Sequence, residues 1–133
     1  MLGERFAGSF AMTNPTDKEI EILKVLWELG EGSVRAVLDR MAPDGSIHFN
    51  TVQTQLRIMD RKGLVQHRRD GRTMIYRPVY TRKQEVARFL RQVFDGSVND
   101  LVLNMLTAEK IQPETLDQLE ALIQQARKKQ RRT

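Results

Sequence analysis

The chain has 133 residues, 40% of them hydrophobic and 29% charged, which suits one compact domain with a small appendage and excludes wholesale disorder. With no cysteine and only His48 and His67, disulfides, thiolate sites and a histidine metal cluster are excluded, and no cofactor is expected. A formal net charge of +5 and a pI near 9.9 point to a polyanionic partner.

Residues 1–15 read as a flexible N-terminal extension: Glu4 comes early, no unbroken apolar run follows, and Met12 is an alternative start. No later segment approaches the ~18 apolar residues of a membrane span. A soluble, cytoplasmic protein with no direct membrane insertion is the expectation. Thr16-Asp17-Lys18-Glu19 is a capping-box pattern, and Ile20, Leu23, Val25, Leu26, Trp27 and Leu29 behind it give a first helix with a wide apolar face. Trp27 on that face reads as a core aromatic. Gly30 and Gly32 break the chain, and Ser33 caps a second helix whose buried side is Val34, Val37, Leu38 and Met41. Pro43-Asp44-Gly45 ends it.

Residues 50–62 are the most informative stretch. Val52, Leu56 and Met59 fall at i, i+4, i+7 and form one apolar stripe, while Asn50, Thr54, Arg57 and Arg61 repeat on the opposite side. One side packs and the other is free to read. Asn50, Thr51, Gln53, Thr54 and Arg57 supply the side chains suited to base edges in a major groove: arginine for guanine, Asn or Gln for adenine, a threonine methyl for thymine. Gly63 stands where a helix C-terminus takes a left-handed residue, with Arg61 and Lys62 complementing the helix dipole before it. Asp70-Gly71 then marks the tip of a two-residue hairpin of the type I′ kind, which needs positive φ at both central positions. Arg68, Arg69 and Arg72 beside that tip suit phosphate or minor-groove contacts. Between Arg57 and Arg77, Arg57, Arg61, Lys62, Arg68, Arg69, Arg72 and Arg77 stand against Asp60 and Asp70; seven minus two gives +5, the net charge of the whole chain. His67 in this hairpin reads as a surface histidine without a partner.

Three helices followed by a hairpin match a winged helix-turn-helix over residues 16–80. Residues 81–133 read as a helical dimerisation region with a basic tail. Thr81 caps a fourth helix bearing Val86, Phe89, Leu90, Val93 and Phe94; Ser97 caps a fifth; Pro113 opens a sixth bearing Leu116, Leu119, Leu122, Ile123 and Ala126. Phe89, Leu90, Val93, Phe94, Leu101, Val102, Met105, Leu116, Leu119 and Ile123 have no second layer to cover them within the chain. A homodimer covers them, the alternative being one larger monomeric domain. The tail from Arg127 to Arg132 reads first as a solvated, frayed end and second as a phosphate-seeking arm.

The fold class is therefore mostly α with a small β-hairpin wing, and the expected partner is double-stranded DNA. No Gly-rich phosphate loop, no Ser/His/Asp or Cys/His set and no paired carboxylates appear, so an enzyme is not expected. A winged helix used as a protein-interaction module, and a repressor released by a small ligand, stand as the alternatives.

The order of a Thr-Val recognition helix, Lys62-Gly63-Leu64-Val65, an arginine-rich wing, Tyr76-Arg77-Pro78 and Leu101-Val102-Leu103-Asn104 before a last amphipathic helix resembles the BlaI/MecI/CopY family of bacterial repressors, the penicillinase-repressor type. The resemblance covers roughly residues 16–130. It implies a dimeric repressor on a palindromic operator, released when a membrane sensor-protease, triggered by a β-lactam in the best-known members, causes cleavage within the dimerisation region. Carried over by the Leu-Val-Leu-Asn motif, the cleaved bond is Asn104–Met105, with Met105 standing where the β-lactam-responsive members have phenylalanine. The copper-responsive branch carries a C-terminal cysteine motif that this chain lacks.

Overall fold

The computed structural model describes residues 14–108 and 110–132; most of the expected extension at 1–15 lies outside them, and Pro15 within it is buried. The elements run α1 (Asp17–Leu29), β1 (Gly32–Ser33), α2 (Val34–Met41), α3 (Phe49–Lys62), β2 (Val65–Asp70), β3 (Thr73–Pro78), α4 (Arg82–Phe94), α5 (Val98–Ala108) and α6 (Pro113–Arg132). They form two compact units divided between Val86 and Ala87.

In the first unit, α1 starts on the expected capping box: Thr16 Oγ1 accepts from the Glu19 amide at 3.2 Å, and Glu19 Oε1 accepts from the Thr16 amide at 2.8 Å. Ser33 Oγ caps α2 by accepting from the Ala36 amide at 3.0 Å. The core is built from Ile22, Leu23 and Leu26 of α1, Val37 and Leu38 of α2, Val52, Leu56 and Met59 of α3, and Leu64, Val65 and Tyr76 of the wing. Leu29, expected on the apolar face of α1, is exposed, while Ile22, which the sequence reading passed over, is in the core. Helix α3 ends at Gly63, whose φ of 84° is the left-handed conformation that a Cβ disfavours.

The sheet has three antiparallel strands in the order β1-β3-β2, so the expected hairpin carries a short extra strand on its β3 edge. Two residues are too few for any alternation to show in the sequence. The register pairs His67 with Tyr76, Arg69 with Met74 and Asp70 with Thr73. That last pair moves the turn by one residue: its centre is Gly71-Arg72, not Asp70-Gly71. Among the turn residues only Gly71 has positive φ, at 65°. A glycine-first turn of the type II′ kind needs a left-handed residue only at its first central position, and Gly71 supplies it there.

Beyond the wing, the chain is tied back to α1. Trp27 Nε1 donates to the Tyr80 carbonyl at 2.9 Å, Arg82 lies over the Trp27 ring at 5.2 Å, and the Tyr80 hydroxyl donates to Glu85 at 2.9 Å. Trp27 is only partly buried, so it is an edge clamp more than a core residue. These ties hold the first turn of α4 in the first unit and explain a division after 86 where the sequence suggested 80/81. In the second unit, α5 and α6 have no buried residue. Helix α6 stays helical through Arg132, where a frayed end was expected; its cations lie in the last turns, the end that the dipole favours.

One internal ion pair has no counterpart in the sequence pattern. The Lys62 ammonium donates to both carboxylate oxygens of Glu19 at 2.8 Å, and Glu19 is 2% exposed. Lys62→Met leaves that carboxylate buried and unpaired, with an expected loss of roughly 2–3 kcal/mol, below the ~3–5 kcal/mol of a fully desolvated pair because Lys62 keeps part of its exposure. Adding Glu19→Gln, which retains an acceptor for the Thr16 amide, restores most of the loss. Urea midpoints at constant m-value check both outcomes.

Candidate nucleic-acid interface

With the Val52, Leu56 and Met59 stripe buried, Asn50, Thr51, Thr54, Arg57 and Arg61 all face solvent from α3, and Gln53 is half-buried. Between α3 and the wing lies a cleft of about 490 Å³ lined by Thr54, Arg57, Asp60, Arg61, His67, Met74 and Tyr76. Cross-strand partners share a sheet face, so Arg69, paired with Met74 and two residues from His67, belongs to the face that borders this cleft. Arg72 sits at the tip.

Arg68 lies on the other face. Its guanidinium donates to Glu31 at 2.7 Å, and that pairing holds it protonated even beyond arginine's ordinary range. Arg77 on the same face donates to Gln66 at 2.8 Å. The seven cations of the basic stretch thus divide: Lys62 is bound to Glu19 and Arg68 to Glu31, Arg77 is held by the neutral Gln66, and Arg57, Arg61, Arg69 and Arg72 make no ion pair among the described residues. Those four are the arginines of the cleft, its bordering face and the tip.

Two residues of the cleft escaped the sequence reading. His67, expected to be partnerless, has Nδ1 in hydrogen-bond contact with the Asp60 carboxylate, and its ring centre lies 6.0 Å from that of buried Tyr76. Burial pushes the Tyr76 phenol up from its ordinary pKa, and the nearby Asp60 carboxylate adds to this while Arg57 opposes it. A seven-residue separation across a helix end and a strand start carries no sequence signal for such a pair.

In the second unit, Phe89, Val93, Val102, Met105, Leu116 and Ile123 are exposed, while Leu90, Phe94, Leu101 and Leu119 are half-buried. Phe89 and Phe94 meet edge to face at 6.0 Å. Phe94, Leu101, Met105 and Leu119 line an open apolar groove of about 550 Å³, which Asn104 also borders. Asn104 and Met105 both lie inside α5, exposed, with the Asn104 amide donating to the Asp100 carbonyl at 2.8 Å. No described helix is long and apolar enough to cross a membrane, and no three described His, Asp or Glu side chains are grouped to hold a metal.

The family model described as penicillinase repressor matches residues 15–125. The penicillinase repressor of Bacillus licheniformis is 25% identical over 114 residues, covering 83% of this chain and 89% of that protein. Among solved structures, the DNA-binding domain of the repressor BlaI is 25% identical over 53% of this chain and 87% of its own, with a TM-score of 0.48. A MarR family protein from Bacillus stearothermophilus shares the fold at 20% identity and a TM-score of 0.51, over 97% of this chain and 84% of that one. So does a homodimeric winged helix-turn-helix domain from Mycobacterium bovis, a possible ArsR-family regulator, at 21% identity and a TM-score of 0.51, over 80% and 89%. A winged helix with an unpaired arginine surface and a family match over most of its length leave one conclusion: the chain belongs to the penicillinase repressor family, and its role is that of a DNA-binding transcriptional repressor, not an enzyme.

Proposed function

We propose that this repressor is a homodimer that reads a palindromic operator with α3, grips the flanking phosphates with its wing, and is released by proteolysis near Asn104–Met105. The observation that carries the DNA reading is the single surface formed by Thr54, Arg57, Arg61, Arg69 and Arg72, whose four arginines lack acidic partners among the described residues. Asn50, Thr51, Thr54 and Arg57 point the right chemistry at base edges; Gln53, half-buried, has less reach. Arg68, beside the hairpin tip like Arg69 and Arg72, is already bound to Glu31 on the other wing face.

The dimer is supported by the apolar surface of α4–α6. A lone chain would keep Phe89 43% and Met105 55% exposed, and burying side chains of this kind yields ~1.5–3 kcal/mol each, enough to offset association entropy when several form one patch. The homodimeric assembly of the Mycobacterium bovis domain is consistent with that reading. Release by cleavage follows from the resemblance at Leu101-Val102-Leu103-Asn104. A protease takes its substrate extended, so α5 must open locally first, and a helix with no buried residue is at the low-stability end where such opening is frequent.

Arg57→Ala and Thr54→Ala are expected to change operator preference by ~1–3 kcal/mol at one base position each, read by binding to a set of single-base operator variants. Arg69→Ala and Arg72→Ala should weaken operator and random DNA alike, each flattening the plot of log K against log salt by about 0.9 per protomer, about 1.8 for the dimer; Arg68→Ala should flatten it less. Uniform loss across all operator variants for Arg57→Ala would overturn the assignment of readout to α3.

Leu101→Lys with Leu119→Lys should yield monomers by sedimentation at micromolar concentration, where the wild-type chain sediments as a dimer. A chain ending at Asn104 should bind the operator ~10²–10⁴ times more weakly than the full chain, since two linked half-site contacts become independent. Equal affinity of the two would eliminate cleavage as the switch and leave release to a small ligand.

A further inference from the structure

Asp60 is out of place by charge alone. It lines the cleft that is proposed to face DNA, between Arg57 and Arg61 in sequence, where a carboxylate repels the phosphate backbone. Its side chain keeps 28% exposure, so it is neither buried for stability nor fully solvated. Instead it spans the cleft to His67 Nδ1 on β2. His67 in turn stands against Tyr76, which is 3% exposed and held in the centre of the sheet, where it pairs with both Gly32 and His67. The imidazole therefore joins the helix to the rigid middle of the wing.

The backbone link between the two elements is short. Helix α3 passes into β2 through Gly63 and Leu64 alone, with Gly63 in the left-handed conformation as the pivot. The root of the hairpin is further held by the burial of Leu64, Val65 and Tyr76 and by β1, which pairs with β3, and Arg68 ties the other face to Glu31; the Asp60–His67 contact is an attachment on the cleft side, and it sets the tilt of the wing toward α3. The tilt decides where Arg69 and Arg72 fall relative to Thr54 and Arg57, which is to say whether wing and helix can engage one duplex together.

We propose that Asp60 and His67 are positioning residues that latch the wing to the recognition helix and so set operator discrimination. The proposal rests on the reading that α3 and the wing face DNA. It makes a prediction opposite in sign to simple electrostatics. Removing a negative charge from a DNA-facing surface should tighten binding to every sequence, whereas loosening a latch should weaken the one sequence that needs helix and wing aligned.

The test is Asp60→Asn and His67→Gln in the full chain, measured on an operator duplex and on a random duplex of equal length and salt, with Arg57→Ala alongside. Operator affinity is expected to fall about ten-fold in each latch variant, the size of one charge-assisted hydrogen bond, while random-sequence affinity stays level or rises. The double variant should lose no more than the larger of the two single losses, because both changes act on the same contact. Hydroxyl-radical footprints should lose the wing's flanking protection and keep that of α3. Parallel tightening on both duplexes, or parallel weakening by His67→Gln, would overturn the latch and leave His67 as a phosphate contact or a bystander. If Asp60→Asn fails to fold, His67→Gln, at an exposed strand position, decides by the same readouts. Failure of Arg57→Ala to affect either duplex would instead strike the underlying assignment of the DNA face.

Discussion

The polar row and arginine cleft of this protein depend on how one helix is fixed about its own axis. Helix α3 can offer Asn50, Thr54, Arg57 and Arg61 as a row only because Val52, Leu56 and Met59, at 2%, 0% and 0% exposure, lock its rotation against α2 and the wing. A turn of even one residue would move the row by about 100°. Apolar packing alone tolerates some sliding. The Lys62–Glu19 pair restricts it, because a buried carboxylate with two hydrogen bonds to one ammonium has a single geometry that satisfies it. The N-terminal turn of α1 and the C-terminal turn of α3 are thereby pinned together, and Gly63 starts the wing from that fixed point.

The charge distribution follows the same division between holding and presenting. A sequence count gives seven cations and two acids over the basic stretch, but neither of those acids neutralises one of its lysine or arginine cations. Glu19 and Glu31, far away in sequence, neutralise Lys62 and Arg68, while Asp60 is engaged by His67. Among the described residues, four arginines without an ion pair remain about one cleft, its bordering face and the tip, and Arg77 on the other face is held by the neutral Gln66. Net charge thus indicated a polyanion correctly and said nothing about which cations were available for it.

Much of the fold was legible because its signals are local. The capping box at Thr16, the cap at Ser33, the i, i+4, i+7 stripe of α3 and the left-handed glycine at its end each depend on residues within one or two turns, and each appears where the spacing put it. Ile22 was missed because a helix with many apolar positions fits more than one stripe. The turn centre moved by one residue because Asp-Gly and Gly-Arg are both credible hairpin tips, and only the cross-strand register, which is long-range, chooses between them. The same reason hid β1, the Trp27 to Tyr80 bond and the Asp60 to His67 contact: each joins elements whose approach no local pattern encodes. On the interface, the sequence marked the exposed row of α3 but could not tell Arg68 from Arg69. Adjacent residues in a strand point to opposite faces, and it takes the pairing to say which face borders the helix.

The second unit carries the remaining argument. Helices α4, which enters this unit, and α5 are capped as well as α1 and α2, with Thr81 and Ser97 accepting from backbone amides at 3.1 Å, so they are specified as helices. Yet α5 and α6 bury nothing, and leave Val102, Leu103, Met105, Leu106, Leu122 and Ile123 in water. Local specification without burial is not a stable state for short helices, since in water most helical stability comes from packing an apolar face. In the proposed dimer, folding of this unit and association become one equilibrium, and the stability of α4–α6 depends on protomer concentration. The same coupling would serve the proposed release by cleavage. A helix that owes its order to a partner opens whenever the partner is lost, and once cut in α5 it cannot recover the packing that ordered it, so a single nick would turn a reversible dissociation into a permanent one.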